Sequence, residues 1–173
     1  MSGRGTLGRV TTREMVLAVA LMAVPVGVDQ VLRHRTLAVG PGIEVVDHRQ
    51  GFGSLAVSRN FALQPLRIDH VTYSRGLGTH ADSRTELKLQ RGTKKLLGAC
   101  GVDFGACAEG SVRFRIKAED QRVLFESPVM HVSDAALKFV VPVDDSRRVF
   151  LETDGQGSIA CDHADWVDLE VAE

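Results

Sequence analysis

From Ile43 onward, apolar and polar residues alternate in short stretches, broken at close spacing by glycine, aspartate and serine. An extended chain points successive side chains to opposite faces, so a period of two predicts half-buried strands. The clearest is Ser111 to Ala118, where Val112, Phe114, Ile116 and Ala118 alternate with Ser111, Arg113, Arg115 and Lys117. Thr85, Leu87 and Leu89 alternate with Glu86, Lys88 and Gln90, and Leu137, Phe139 and Val141 line one face of a stretch ending at Pro142. Val149 and Leu151 oppose Arg148, Phe150 and Glu152 in the same way. Further strands are predicted at Lys95 to Val102, Arg122 to Glu126 and Val167 to Val171. No useful helical period follows the amino-terminal segment, nor does any repeat or heptad. The pattern predicts an all-β fold, an antiparallel β-sandwich.

The first residues differ in kind. Arg4, Arg9 and Arg13 precede an uninterrupted apolar run from Met15 to Val28, which reads as an export signal or signal anchor. As a helix the run would span about 21 Å, short of the roughly 30 Å hydrocarbon core, which favours a signal over a full membrane span. Pro25 and Gly27 near its end leave no clean small-x-small cleavage site, so retention as an anchor stays open, and a core helix is the third reading. Asp29 to Arg35 is polar and Gly40-Pro41-Gly42 breaks regular structure, which divides the chain into a signal or anchor segment with linker over 1–41 and a sandwich over 42–173. Either export reading puts that sandwich outside the cytoplasm, secreted or tethered to the membrane.

A formal net charge of -1 supplies no polybasic field, which argues against nucleic acid as a partner. With one Trp and one Tyr, a binding face of several stacked rings is not expected, so a sugar contact would rest on polar side chains and one ring. Cys100, Cys107 and Cys161 allow at most one disulfide within the chain. Cys100 and Cys107 flank a glycine-containing turn that could bring them within bridging distance, and three buried thiols are the alternative. Zinc is disfavoured because no Cys-x-x-Cys or His-x-x-x-His spacing accompanies them.

The candidate chemistry gathers at two places. Asp162-His163-Ala164-Asp165-Trp166 joins two carboxylates, an imidazole and the single indole, and Gly76-Leu77-Gly78-Thr79-His80-Ala81 offers a tight glycine turn that presents a histidine. Carboxylates and neutral imidazole can meet ring hydroxyls while an indole covers the apolar face of a sugar. The structural alternative has Asp165 orienting His163 through a buried bond and Trp166 filling the core. Parity from Val167, Leu169 and Val171 would turn Asp165 and His163 inward and Trp166 outward, unless a bulge or turn intervenes. The flexible Asp154 to Ser158 loop is expected to carry into the cluster, starting the last strand at about Asp165.

The order of these motifs, with Gly101-Val102-Asp103 and the Gly110-Ser111-Val112 strand leading to Phe114 between them, resembles the NPCBM family of carbohydrate-binding modules from about Leu63 to Glu170. Pro65 to Ile68, Tyr73 to Arg75 and Leu124 to Met130 agree with it. The resemblance implies a jelly-roll sandwich, similar to family 51 carbohydrate-binding modules that recognise terminal galactose-type sugars, with structural calcium among relatives. It implies a carbohydrate site of His80, Asp162, His163, Asp165 and Trp166 with Arg75 beside it, and possible calcium ligands in Asp103, Asp162 and Asp165. Calcium needs six to eight oxygens and no dense acidic loop is present, so a metal-free turn is the alternative. This chain departs from the family in carrying Phe52-Gly53 where members often have Trp-Gly, a smaller platform, and in the cysteines that bracket Gly-Val-Asp.

Asp162 and Asp165 do not read as a glycosidase pair, because such carboxyls face one another across a deep cleft that a sandwich of this size rarely builds. No nucleophile elbow, phosphate loop or His-Glu-x-x-His motif is present. The expectation is a non-catalytic carbohydrate-binding module, with a separate glycosidase or envelope protein as partner. An envelope scaffold on the same fold without a sugar pocket is the alternative.

Overall fold

The computed structural model describes residues 37–143, 147–157 and 160–173. The apolar run and the export or anchor role expected of it lie outside these residues. Among them, the chain forms β1 (Leu37–Gly40), β2 (Ile43–Gln50), β3 (Ala56–Val57), β4 (Leu66–Ile68), β5 (Val71–Tyr73), β6 (Gly76–His80) and β7 (Ser83–Leu89). It continues through β8 (Lys95–Val102), β9 (Ser111–Ala118), β10 (Val123–His131), β11 (Leu137–Pro142), β12 (Arg148–Gly155) and β13 (His163–Ala172). No helix occurs among the described residues.

One antiparallel sheet runs β1-β2-β7-β12-β9-β10 and a second runs β11-β8-β13-β6-β3. Their inner faces enclose one apolar core that includes Leu87, Val112, Phe114, Ile116, Leu151, Leu77, Phe139 and Trp166. These are the alternating apolar positions of the sequence, which is why β8, β9 and β11 have the predicted bounds. Gly40-Pro41-Gly42 forms the turn that joins β1 to β2, so β1 belongs to the sandwich. Pro128 sits on edge strand β10 at a register break, where its missing N–H costs no ladder bond.

The outer face of the second sheet is roofed. The β4-β5 hairpin covers it, and Leu66 and Ile68 bury Ala99 and Val167 in a small second core. Close approach needs bare backbone beneath. A Cβ at Gly78 would run into the backbone of Arg59 and Asn60, and one at Gly101 would run into Ile68. The Gly76-Leu77-Gly78 run is therefore a fully buried strand floor and not the tight turn expected of its glycines.

β13 begins at His163, earlier than expected, because His163 already pairs in register with His80, and β12 continues through Asp154 and Gly155. Its pairing with β8 shifts between Val167 and Glu170, and Asp168 there has φ of 49°. This bulge reverses the parity of the strand. Leu169 and Trp166 both face the main core, while Val167 joins the outer cluster.

Candidate functional site

The predicted motifs meet at one end of the sandwich, where β2 ends, β6 ends and β13 begins. His163 pairs in register with His80, with ring centroids 5.4 Å apart. Both imidazoles lie on the roofed face of the sheet. Phe61, from the loop after β3, places its ring 4.8 Å from each of them. Phe52, from the connection between β2 and β3, stands 5.7 Å from Phe61 and 5.5 Å from His80. The layer is graded, since Phe52 is 60% exposed while His80 is only 4% exposed.

Local bonding explains why these rings hold their places. Gln50 Nε2 donates to the Phe52 carbonyl at 2.6 Å. Asn60 Oδ1 accepts from the N–H groups of Ala62 and Gln64 at 3.0 and 2.8 Å, closing an Asx-type loop around Phe61. His80 Nδ1 lies 2.7 Å from the Ala81 carbonyl, which can only accept, so Nδ1 carries a proton and donates, leaving Nε2 at the other side of the ring. Burial, and then the neighbouring His80, hold His163 below the ordinary imidazole range.

Beneath the rings lies a carboxyl pair. Asp103 is fully buried and accepts from Asn60 Nδ2 at 3.0 Å, Gly105 N–H at 2.8 Å and Arg67 N–H at 3.2 Å. It thereby fastens the Phe61 loop to the floor. Asp165 lies between Gly78 and Gly101, its partners across the sheet, and is likewise fully buried. No N–H or hydroxyl meets either of its oxygens at good hydrogen-bond geometry among the described residues, although the Arg67 N–H lies near enough to oppose the rise in its pKa. Burial, the charge of Asp103 and a bond to that neighbouring carboxyl hold Asp165 well above the ordinary carboxyl range.

The remaining candidates scatter. Trp166 is fully enclosed, packed edge-on against Phe114 at 5.2 Å and Phe139 at 5.9 Å on the opposite face of the sheet. It has no surface to offer a sugar. Asp162 is also buried, and its Oδ1 accepts the Ser111 N–H at 2.8 Å, tying the entry of β13 to β9. Burial raises its pKa against that bond. Arg75 precedes β6 at the end remote from His80 and pairs with Glu170 at 3.0 Å. Sequence reasoning missed Phe61 and Asn60, because their loop carries no period, and weighed Phe52 only as a reduced platform.

The set proposed for calcium divides. Asp103 and Asp165 lie together, whereas the titratable neighbours of Asp162 are His80, Asp82 and His163. Among the described residues, the one group of three His, Cys or acidic ligands within 4.8 Å of one another is Cys107, Glu109 and Cys161. Asp103, Asp162 and Asp165 do not form one cation shell. The cysteines also pair differently from the expected turn, with Cys107 bonded to Cys161 across a Cα separation of 5.4 Å. Cys100 is the buried free thiol, and burial pushes its pKa up.

The chain matches known proteins along most of this fold. It is 38% identical over 148 residues to the alpha-1,3-galactosidase B of Akkermansia muciniphila, covering 83% of this chain but only 18% of that protein. The CBM51 of Clostridium perfringens GH95, solved with methyl-galactose, superposes with a TM-score of 0.69 at 22% identity, covering 75% of this chain and 94% of that one. CBM51-2 of Clostridium perfringens ZmpB, solved with its INT domain and GlcNAc, gives 0.67 at 24% identity over 73% of this chain and 29% of that one. These likenesses establish a carbohydrate-binding-module fold. The model of the NPCBM/NEW2 domain matches residues 42–172, and the chain belongs to that family.

Proposed function

We propose that the protein is a non-catalytic carbohydrate-binding module that takes a terminal galactose-type sugar on the Phe52 and Phe61 rings. The observation that carries this reading is the graded aromatic layer, exposed at Phe52 and backed by two paired histidines. Aromatic faces cover the C–H surface of a pyranose, and the free Nε2 of His80 and the His163 ring supply polar contacts near its rim. The galactosidase relative and the methyl-galactose complex of the structural neighbour support a galactose-type ligand. An extracytoplasmic setting is supported by the Cys107–Cys161 disulfide, since such bonds persist in oxidising compartments. The Met15 to Val28 run would supply export or tethering, and extracellular or envelope glycans, presented near a glycosidase, are the partners this implies.

Titration calorimetry of the full chain with methyl-galactose tests the reading. Phe52→Ala should weaken binding by about tenfold or more while leaving the melting temperature nearly unchanged. Undiminished affinity in both Phe52→Ala and Phe61→Ala would remove the sugar from this surface, and a glycan array without any signal would leave the scaffold reading in its place.

A further inference from the structure

The disulfide joins two cysteines beside a third ligand that has no structural task of its own. Cys107 Sγ, Cys161 Sγ and a Glu109 carboxylate oxygen all lie within 4.8 Å of one another at the surface. Glu109 has no ion-pair partner among the described residues. The cysteines are 54 residues apart, so no sequence spacing announces the set.

The backbone holds the two cysteines together independently of the sulfur bond. Each cysteine sits in a tight turn of its own, closed by Gly110 N–H to the Cys107 carbonyl at 3.0 Å and by His163 N–H to the Cys161 carbonyl at 2.8 Å, and the two turns are joined by the contacts that follow. A Cβ at Gly110 would stand 2.5 Å from the Cys161 carbonyl oxygen, so these segments touch as closely as bare backbone allows. On the next residues, Asp162 accepts the Ser111 N–H at 2.8 Å and its carbonyl accepts the Ala81 N–H at 3.0 Å. A Cα separation of 5.4 Å maintained in this way leaves two thiols that can turn about χ1 to meet one ion, because zinc–sulfur bonds of about 2.3 Å span the gap that opens when the sulfurs part.

We propose that, with its cysteines reduced, this protein binds a thiophilic divalent cation of the zinc type through Cys107, Cys161 and Glu109. The newly made chain carries these thiols before oxidation, and a dithiol reductant regenerates them by giving two electrons and two protons to the S–S bond while becoming a disulfide itself. Metal binding then releases the two thiol protons and forms two metal–thiolate bonds and one metal–carboxylate bond, with water at the open fourth position. An oxidant of the disulfide class takes two electrons from the sulfurs, remakes the S–S bond and expels the ion. Disulfide and metal site are thus exclusive states of one surface, one residue from Asp162 and two from His163.

The full chain, reduced anaerobically with a phosphine that is then removed, is titrated with Co²⁺ and monitored for the thiolate charge-transfer band and the visible bands of tetrahedral cobalt. One equivalent should bind to reduced protein and none to oxidised protein, and Zn²⁺ should bleach the signal. Cys107→Ser and Cys161→Ser should abolish the charge-transfer band, Glu109→Gln should weaken binding by about tenfold or more, and Cys100→Ala should leave it unchanged. A reduced chain with native near-ultraviolet circular dichroism but no band would overturn the proposal, as would a full band in Cys107→Ser or loss of it in Cys100→Ala. Unaltered affinity in Glu109→Gln would overturn the three-ligand site. Loss of native dichroism on reduction alone would also overturn it, because the backbone would then not hold the thiols together.

Discussion

The outer faces of the two sheets solve the problem of polar residues in opposite ways. On the six-stranded sheet, charges form a lattice that runs from half-exposed to largely covered pairs, with Lys88 to Glu44, Arg148 to Glu86, Arg84 and Lys117 to Glu152, and Arg115 to both Glu126 and Asp154. Opposite charges there answer one another across the strands, as cross-strand pairing favours. The five-stranded sheet instead carries polar groups under a roof. Asp103 is answered by backbone and amide donors, Asp165 mainly by its neighbouring carboxyl, and two histidines pack against the Phe61 ring. Water screens the half-exposed pairs of the first face such as Lys88 and Glu44 and asks little of their geometry, while Glu86 and Glu152 are mostly covered. The second holds most of its polar groups through internal partners, and those side chains therefore have fixed places, which a ligand site needs.

The largest test separates the two faces of β13. Trp166→Ala excavates the main core and should cost roughly 3 to 5 kcal/mol in chemical denaturation. A loss under about 1 kcal/mol would contradict the packing described for the indole. Within the roofed face the two carboxyls should differ. Asp103→Asn turns one acceptor oxygen into a donor facing N–H groups and should cost about 1 to 3 kcal/mol. Asp165→Asn mimics the protonated form that burial favours and should be close to neutral or stabilising. If Asp165→Asn proves the more damaging of the two, the assignment of the proton is wrong.

Linkage gives that pair a signature in pH. The folded pKa of Asp165 is raised above that of the unfolded chain, so its contribution to stability is complete below about 4 and is lost as pH rises from there through the raised value. Asp165→Asn should flatten this slope. His163 works in the other direction, because its folded pKa is lowered and the unfolded state binds the proton more readily. Stability from this group is complete above about pH 6.5 and declines as pH falls through that value toward the lowered one. His163→Gln should remove that decline in thermal melts at stepped pH, and an unchanged profile would show that the ring is not desolvated as described.

Much of this fold was legible in the alternation of residues, since β9 needed only Val112, Phe114 and Ile116 to declare its inner face. The face of Trp166 was not legible. Asp168 adds one residue in left-handed backbone, and nothing in its local sequence marks the extra residue that turns Asp165 outward. The site was half legible for a similar reason. His80 and His163 stood out as chemistry on strands, but Phe61 reaches them from a loop whose shape depends on Asn60 bonding Asp103 over 43 residues of separation. The pairing of Cys107 with Cys161 is a contact of the same long-range kind.

The smallest expected effect sharpens the comparison from its other side. Lys88 and Glu44 face each other on adjacent strands at 3.7 Å, with both side chains about half exposed. Solvent screening and the entropy of holding two long side chains should leave such a pair a coupling of under about 1 kcal/mol in a double-mutant cycle. That coupling should shrink further in added salt, because exposed charges are screened over a Debye length of about 10 Å at 0.1 M. Sugar affinity should not change in Lys88→Ala, Glu44→Ala or the double variant, since neither residue contributes to the ring layer at the end of the sandwich. A coupling well above 1 kcal/mol, or a loss of methyl-galactose binding in these variants, would show that the open lattice also has fixed places and that the contrast between the two faces is not one of roof against water.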